Sequence, residues 1–276
     1  MIDTNWLSNL KKFDRERFDS LRYLNCERRK EIAAIYSFNL ELANIAWNVS
    51  EPGVGYLKLR WWEDYINDMN DGYSFRENEY LHILSKLLAE GKLHKSNLLR
   101  LIKAREFDCS KKPFDSHEQQ IKYIRDTSQN LLFMGLSCLI EFNDNSLRRS
   151  LSEYFGLSLG LARFVLAAGS LSQNKCYSLF LPTRLDYNTY FEGRINDNIV
   201  ERISSDIDLA FNLLHAGKRE IKSIELKKNT FSVLNTVNNF VPILKEIKNN
   251  PQLIFRKDHK LSFRAKFIGK INELVT

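Results

Sequence analysis

Residues Arg29–Trp47 read RKEIAAIYSFNLELANIAW, and this stretch decides the fold together with Gly156–Pro182, GLSLGLARFVLAAGSLSQNKCYSLFLP. In the first stretch, apolar side chains recur at helical spacing on two stripes. The stripes are Ile32, Ile35, Leu42, Ala46 and Val49, and Ala33, Tyr36, Leu40, Ala43 and Trp47. Because a helix that is apolar on two stripes is largely buried, the pattern predicts a core helix over residues 29–49.

The second stretch belongs to an apolar segment, Tyr154–Leu171, which is 18 residues long and contains Arg163 as its only charge. Its length allows a membrane span. A central arginine and the glycines Gly156 and Gly160 lower its lipid solubility, so we predict a buried central helix instead. The two glycines would let a neighbouring backbone approach closely.

Helical patterns continue along the rest of the chain. Pro52 and Gly53 are predicted to end the first core helix, and Ser116 with Gln119 forms a capping-box pattern before a long apolar run. The expected helices cover residues 56–69, 76–90, 95–107, 116–142, 146–172, 197–222 and 230–248. No stretch alternates with period 2, so we predict an all-α, single-domain helical bundle over residues 1–276, with about ten helices.

Composition limits the class of protein. A chain of 276 residues with 43% apolar content can bury a large core, which excludes disorder. The N-terminal sequence has no apolar run of signal-peptide length, so we expect a cytoplasmic protein. No two of the cysteines and histidines stand at zinc-ligand spacing, and we expect buried free thiols. The cysteines are Cys26, Cys109, Cys138 and Cys176.

The net charge of +7 raises the question of an acidic partner. Lysine and arginine are spread over the chain and no nucleic-acid motif accompanies them, so we expect no nucleic acid partner. The C-terminal third has a local excess of basic residues. It would attract an anionic membrane or an acidic protein at about 1 kcal/mol per well-placed residue, unless it is simply a solvated surface.

Several blocks, in order and at characteristic spacing, resemble the squalene/phytoene synthase family. The blocks are Arg28–Lys30 with Ala34–Phe38, Ala104–Asp108 with Pro113-Phe114, and Leu179–Pro182. Within that family, three segments resemble the branch without aspartates, typified by the mitochondrial assembly factor for complex I (NADH dehydrogenase) and its bacterial relatives. These segments are Phe38–Ala43, Val49–Pro52 and Leu59–Trp62. The resemblance implies the isoprenoid-synthase type of helical bundle.

The resemblance also implies where an active site would lie. In active members, an Asp-x-x-x-Asp pair on each of two helices holds Mg²⁺ against a prenyl diphosphate. The corresponding positions here are Ala43 and Trp47, and Ala167 and Leu171. These four side chains offer no oxygen to a hard cation. We therefore expect no catalytic residues, no metal ligands and no cofactor.

Neighbouring positions depart from the family pattern as well. Leu40 and Leu166 stand where active members carry arginines, and Gly160 and Arg163 stand where they carry Gln and Asn. The loss therefore extends from the metal ligands to the residues expected around a diphosphate.

Some polar residues remain as candidates. Asp64 and Asp68 form an intact i, i+4 pair, which we interpret as a solvated helix face, and Asp206 and Asp208 cannot share a helix face. Arg29, Tyr36, Arg60 and Arg163 are candidate ligand-binding residues. For the arginines, the alternative is an ordinary buried or interfacial role. Glu41 is expected to point outward. Trp61 and Trp62 are expected to pack in the core or a groove.

The missing carboxylates predict a non-catalytic protein, and the resemblance implies that it assists the assembly of respiratory NADH dehydrogenase. It would bind NADH dehydrogenase subunits or lipid, with peripheral attachment to the inner membrane. One alternative is a Mg²⁺-dependent head-to-head prenyltransferase that uses farnesyl or geranylgeranyl diphosphate. Another is a carrier that holds an isoprenoid ligand or another lipid without converting it.

Overall fold

The computed structural model describes residues 5–69, 78–140, 145–222 and 228–255, and every regular element in them is helical. The all-α prediction is confirmed. The α-helices are α1 (Asn5–Phe13), α2 (Arg15–Ser20), α3 (Cys26–Ile45), α4 (Pro52–Asp68), α5 (Glu79–Ala89), α6 (Lys95–Ser110), α7 (His117–Ile124), α8 (Asn130–Ser137), α9 (Asn145–Leu151), α10 (Ser158–Gln173), α11 (Arg184–Phe191), α12 (Asp197–Lys222), α13 (Lys228–Leu234) and α14 (Val241–Asn249).

The chain divides into two compact units. The first takes its described residues from 1–111, 126–152 and 226–233, and the second from 112–125, 153–225 and 234–276. The expectation of one domain stays a prediction.

Helix α3 is the central helix of the first unit. The Asn25 side chain caps its N-terminus by accepting a hydrogen bond from the backbone N–H of Arg28. Every residue from Glu31 to Asn39 is buried. The helix packs against α1, α5, α6 and α8, while α4 packs mainly on α6. The expected core helix is thus present at the predicted place.

Gly55 permits the close contact between α4 and α6. A Cβ built on Gly55 would lie 2.6 Å from the Sγ of Cys109, closer than two side-chain atoms can approach. A larger residue at this position would therefore separate the two helices.

In the second unit, α10 packs against α12 and against a 3₁₀ turn, Pro251–Phe255. A Cβ on Gly169 would come within 2.1 Å of the backbone carbonyl oxygen of Ile254. The helical run Asn145–Gln173 is long and apolar enough to cross a membrane, and 67% of its most apolar window is buried within the protein. This burial agrees with the predicted core helix, and Gly156 and Gly160 are both buried.

The first core helix begins three residues earlier and ends four residues earlier than predicted. It ends at Ile45, and the backbone N–H of Trp47 bonds to the carbonyl of Asn44 in a tight turn. The prediction that Pro52 ends a helix and that the next begins near Tyr56 is wrong, because Pro52 is the first residue of α4. Proline suits this position, where its missing N–H would have no helical partner.

The helix predicted over residues 116–142 is interrupted by a π-helical turn, Arg125–Gln129, and ends at Ser137. Polar side chains of α6 hold this turn and the residue that follows it, since Arg100 donates to Asp126 and Asn97 donates to Asn130. The Ser116 side chain caps α7 as predicted. The Gln119 side chain, however, accepts from the N–H of Asp115, so the capping box is only half formed.

Two other predicted helices are also interrupted, each by a turn of a different helical type. The run over residues 146–172 contains a second π-helical turn, Ser152–Leu157. The run over residues 230–248 contains a 3₁₀ turn, Asn235–Phe240.

All four cysteines are free, as predicted. Cys109 and Cys138 are buried, and burial raises the pKa of Cys138 to about 12. The expectation of burial is wrong for Cys26, which is exposed at the start of α3, and Cys176 is half-buried.

Candidate functional site

In the first unit, the positions that correspond to a metal-binding pair do not share one helix. Ala43 is half-buried in the last turn of α3, whereas Trp47 lies beyond the end of the helix and is exposed. The prediction that Trp47 continues the inward stripe of Tyr36 is therefore wrong. Glu41 is exposed, as predicted. This end of α3 offers no pair of carboxylates on one face.

In the second unit, α10 continues through both corresponding positions. Ala167 and Leu171 share a face of the helix and are half-buried, and Leu166 beside them is also apolar. Among the residues that the structure describes, no group of three or more His, Cys, Asp or Glu side chains could hold a metal ion. The residues at the four positions therefore do not fit the Mg²⁺ that active members use.

The acidic pair on α4 is an exposed helix face. Asp64 and Asp68 are both exposed, and Arg60 forms ion pairs with Glu63 at 3.0 Å and with Asp64 at 3.3 Å. The interpretation of this pair as a solvated surface is confirmed.

The other acidic pair has two separate structural roles within the second unit. Asp206 is fully buried and contacts His117, Gln120 and Arg202. The Gln120 side chain in turn accepts a hydrogen bond from the backbone N–H of Phe180 at 2.7 Å. Asp208 lies on the surface and pairs with Lys248. Asp206 thus helps to hold the chain that leaves α10.

The four predicted ligand residues are divided between the two units. In the first unit, Arg29 donates to the backbone carbonyls of Leu21, Arg22 and Leu24 at 2.8–3.2 Å. Tyr36 is buried, and the guanidinium of Arg17 lies 5.6 Å from the centre of its ring.

Arg60 also belongs to the first unit, where it is exposed and held by its two acidic neighbours. Arg163 belongs to the second unit and is half-buried on α10. A ligand-binding role for any of the four stays a prediction.

The feature that sequence reasoning missed is an exposed apolar stripe on α4. Helix α4 buries Gly55, Leu59, Trp62 and Ile66. A second series at helical spacing faces outward, and we call its members the α4 stripe: Val54, Leu57, Trp61 and Tyr65. The first three are exposed, with Leu57 71% and Trp61 56% exposed, and Tyr65 is half-buried. The expectation that Trp61 and Trp62 both pack inside is wrong for Trp61.

The aromatic rings of the α4 stripe pack against each other and against the buried ring of Trp62. Trp61 stacks on Tyr65 with ring centres 5.2 Å apart, and its other neighbour is the edge of Trp62 at 4.9 Å. Trp62 packs against Phe38 of α3 at 5.3 Å. Burial raises the pKa of Tyr65 to about 12, so this hydroxyl stays neutral at physiological pH. The stripe therefore presents a preformed aromatic surface.

Acidic residues outnumber basic ones along α4 itself. Between Glu51 and Asp68 there are two basic residues, Lys58 and Arg60, against four acidic ones, which gives a net charge of −2. Arg60 is paired with two of these carboxylates. Lysines of α6 lie at both ends of α4, where Lys95 donates to the carbonyl of Asn67 and Lys111 donates to the carbonyl of Ser50.

The basic C-terminal third falls partly outside the described residues, which exclude Lys227, Arg256, Lys257, Lys260, Arg264, Lys266 and Lys270. Of its described members, Arg219, Lys222 and Lys245 are exposed. Lys218 is half-buried, and this burial lowers its pKa.

The family model for squalene/phytoene synthase matches residues 10–265 of this chain. The curated relatives include complex I assembly factor 6 (NADH dehydrogenase (ubiquinone)) from Mus musculus, 27% identical over 133 residues, which are 48% of this chain and 40% of the relative. The Dictyostelium discoideum homolog of that factor is 23% identical over 177 residues, which are 64% of this chain and 49% of the relative. The chain thus spans less than half the length of these curated relatives.

Among solved structures, a dehydrosqualene synthase in complex with ligand superposes with a TM-score of 0.76 at 14% identity, covering 98% of this chain and 94% of the other. At this level of identity the likeness concerns the fold, and the fold is the isoprenoid-synthase type that the sequence predicted.

Proposed function

Because the chain belongs to the squalene/phytoene synthase family and lacks the carboxylates with which active members bind Mg²⁺, we propose that it is a non-catalytic member that acts by binding. Its role would be to assist the assembly of respiratory NADH dehydrogenase, the process for which the curated relatives are named. It would need no cofactor. It would work on the cytoplasmic side, attached peripherally to the inner membrane.

The observation that carries this proposal is the chemistry of the four former ligand positions. Diphosphate departs only when its charge is neutralised, and in this family that requires metal held by carboxylates from two helices. Ala43, Ala167 and Leu171 supply no oxygen, and Trp47 lies outside the helix that would orient it.

The α4 stripe is the surface that supports a protein partner best. Exposed tryptophan is among the residues most enriched at binding hot spots, and its ring is already immobilised by Tyr65. The spacing of Val54, Leu57 and Trp61 is that of a helix whose anchors enter an apolar groove. We assign this groove to a subunit or assembly intermediate of NADH dehydrogenase.

Capture from the native membranes of the source organism tests this role. The tagged chain should recover NADH dehydrogenase subunits or assembly intermediates, and the double variant Leu57→Ser/Trp61→Ser should lose them. The matched control is Leu185→Ser, because Leu185 in the second unit is 70% exposed, almost the same as Leu57. Recovery that is equal for the double variant would exclude the α4 stripe. Failure of the unaltered chain to recover any such subunit would exclude the assembly role.

A separate assay tests the enzyme and carrier alternatives. Purified chain incubated with Mg²⁺ and farnesyl or geranylgeranyl diphosphate should release no pyrophosphate above a control without protein. Release that a chelator abolishes would establish a prenyltransferase instead. A stoichiometric isoprenoid in the organic extract, together with the absence of a protein partner, would establish a carrier.

A further inference from the structure

The first unit has a second exposed aromatic surface, formed near its N-terminus. Phe13 at the end of α1 is 59% exposed, and Tyr23 at the end of the 3₁₀ turn Leu21–Tyr23 is 55% exposed. Basic residues flank both rings. We call the set the N-terminal patch: Lys11, Lys12, Phe13, Arg15, Arg22 and Tyr23.

Each ring of the N-terminal patch lies beside a cation. The Nζ of Lys12 is 4.8 Å from the centre of the Phe13 ring, and the guanidinium of Arg22 is 6.0 Å from the centre of the Tyr23 ring. Attraction between a cation and an aromatic face holds such pairs together. The patch therefore presents apolar surface and positive charge at the same points.

The N-terminal patch lies in a basic segment of the chain. Residues 11–23 contain five Lys and Arg against three Asp and Glu, a net charge of +2. One of the acidic residues, Asp14, is buried in an ion pair with Arg17 at 2.7 Å and so takes no part in the surface. Asp19 is shared between Arg15 and Arg22. The remaining charged residues of the segment keep a net positive charge.

We propose that the N-terminal patch is a contact surface for anionic lipid. Aromatic rings with an apolar body settle at the level of lipid headgroups, and lysine and arginine beside them reach the phosphates. The positive charge adds attraction to an anionic leaflet. Residues 51–68, which include α4 and carry a net charge of −2, suit such a leaflet less well. The proposal places the membrane contact at the N-terminus rather than in the basic C-terminal third.

Flotation of the full-length chain with vesicles tests this surface, and the assay contains no protein partner, so its outcome is independent of the proposed assembly role. The chain should bind vesicles of phosphatidylcholine and phosphatidylglycerol at 3:1, and bind pure phosphatidylcholine at least tenfold more weakly. In Lys11→Gln/Lys12→Gln, binding should weaken about 25-fold, because each well-placed basic residue changes the binding constant about fivefold. Phe13→Ser/Tyr23→Ser should also weaken binding several-fold.

The matched control is Arg219→Gln/Lys222→Gln, which removes the same charge from exposed positions of the second unit. It should retain binding within about twofold. Equal losses in the control and in the lysine variant would mean that binding follows net charge alone, and would overturn the proposal. Equal binding to neutral and anionic vesicles, or no effect of either N-terminal variant, would also overturn it. Circular dichroism of each variant verifies that it is folded.

Discussion

Two adjacent tryptophans on α4 give the sharpest test of which face of this helix is free. Trp62 is only 7% exposed and packs edge-on against Phe38, whereas Trp61 is 56% exposed. The chain thus offers the same substitution at neighbouring positions of one helix, where intrinsic helix propensity contributes equally. We compare Trp62→Ala with Trp61→Ala.

The magnitudes follow from burial. Replacing a buried tryptophan by alanine costs about 3–5 kcal/mol of unfolding free energy, because the loss of buried apolar surface and the cavity left behind both destabilise the protein. For Trp61, a little under half of a side chain of roughly 250 Å² is buried, which at about 25 cal/mol per Å² gives an upper bound near 3 kcal/mol. Because alanine has a better helix propensity than tryptophan, this cost is reduced by about half a kcal/mol. We therefore expect about 1–2 kcal/mol for Trp61→Ala and about 4 kcal/mol for Trp62→Ala.

Urea denaturation followed by circular dichroism measures both values in one experiment. The midpoint should fall clearly for Trp62→Ala and only slightly for Trp61→Ala. Leu185→Ala is a control for an exposed apolar side chain with no proposed role. If Trp61→Ala destabilised the protein as much as Trp62→Ala, the outer face of α4 would be covered in solution. The assignment of the α4 stripe as a binding surface would then be wrong.

The remaining predictions concern the second unit and use Gly53 of the first unit as a control. Gly169→Ala should destabilise the protein by about 3 kcal/mol in urea denaturation, because the new Cβ would meet the backbone carbonyl oxygen of Ile254, which cannot rotate away. Gly53→Ala, where no atom lies within 4 Å, should be neutral or slightly stabilising, and equal effects would contradict the assigned packing. Burial opposes ionisation of Asp186, but hydrogen bonds from Thr183 and two asparagines outweigh it and hold the pKa of this carboxyl below its usual value. Its contribution to stability is therefore complete above about pH 4 and is lost as the pH falls through the lowered pKa. Asp186→Asn should lower the free energy of unfolding at neutral pH and reduce the further loss of stability below pH 4. A loss of stability below pH 4 equal to that of the unaltered protein would contradict this.

The fold could be predicted from the sequence because its strongest signals are local. Helix α12 has the predicted bounds, residues 197–222, since its apolar spacing and its polar ends agree. The π-helical turns could not be predicted. The turn at Arg125–Gln129 and the residue that follows it are held by side chains of α6, some thirty residues earlier in the chain. The apolar spacing within the segment does not reveal these contacts.

Some elements were missed although a signal was present. Thr183 and Asp186 form a complete capping box at the start of α11, and this pattern is visible in the sequence. Helices α1 and α2 are short, at 9 and 6 residues, and too few apolar positions fall within them to establish a period.

The exposed surface of α4 illustrates a limit of sequence patterns. Two apolar series run along this helix at the same spacing, one through Leu59 and Trp62 and the other through Leu57 and Trp61. Periodicity identifies both but cannot tell which one the protein covers. The choice depends on α6, which packs against Gly55 and closes over the first series. The contact surface therefore became visible only with the tertiary structure.

The early end of α3 bears on both the proposed absence of catalysis and the proposed binding role. A metal-binding pair at i and i+4 needs a helix that continues through both positions, so that both carboxylates share one face. Ala43 lies in the last turn of α3 and Trp47 lies beyond the end of the helix at Ile45, so these two positions do not share a helix face. Trp47 is then exposed in the turn that leads to α4, a few residues before the α4 stripe begins. Trp47 thus places a large aromatic side chain on the surface of the first unit, where we expect it to contribute to contact with a partner.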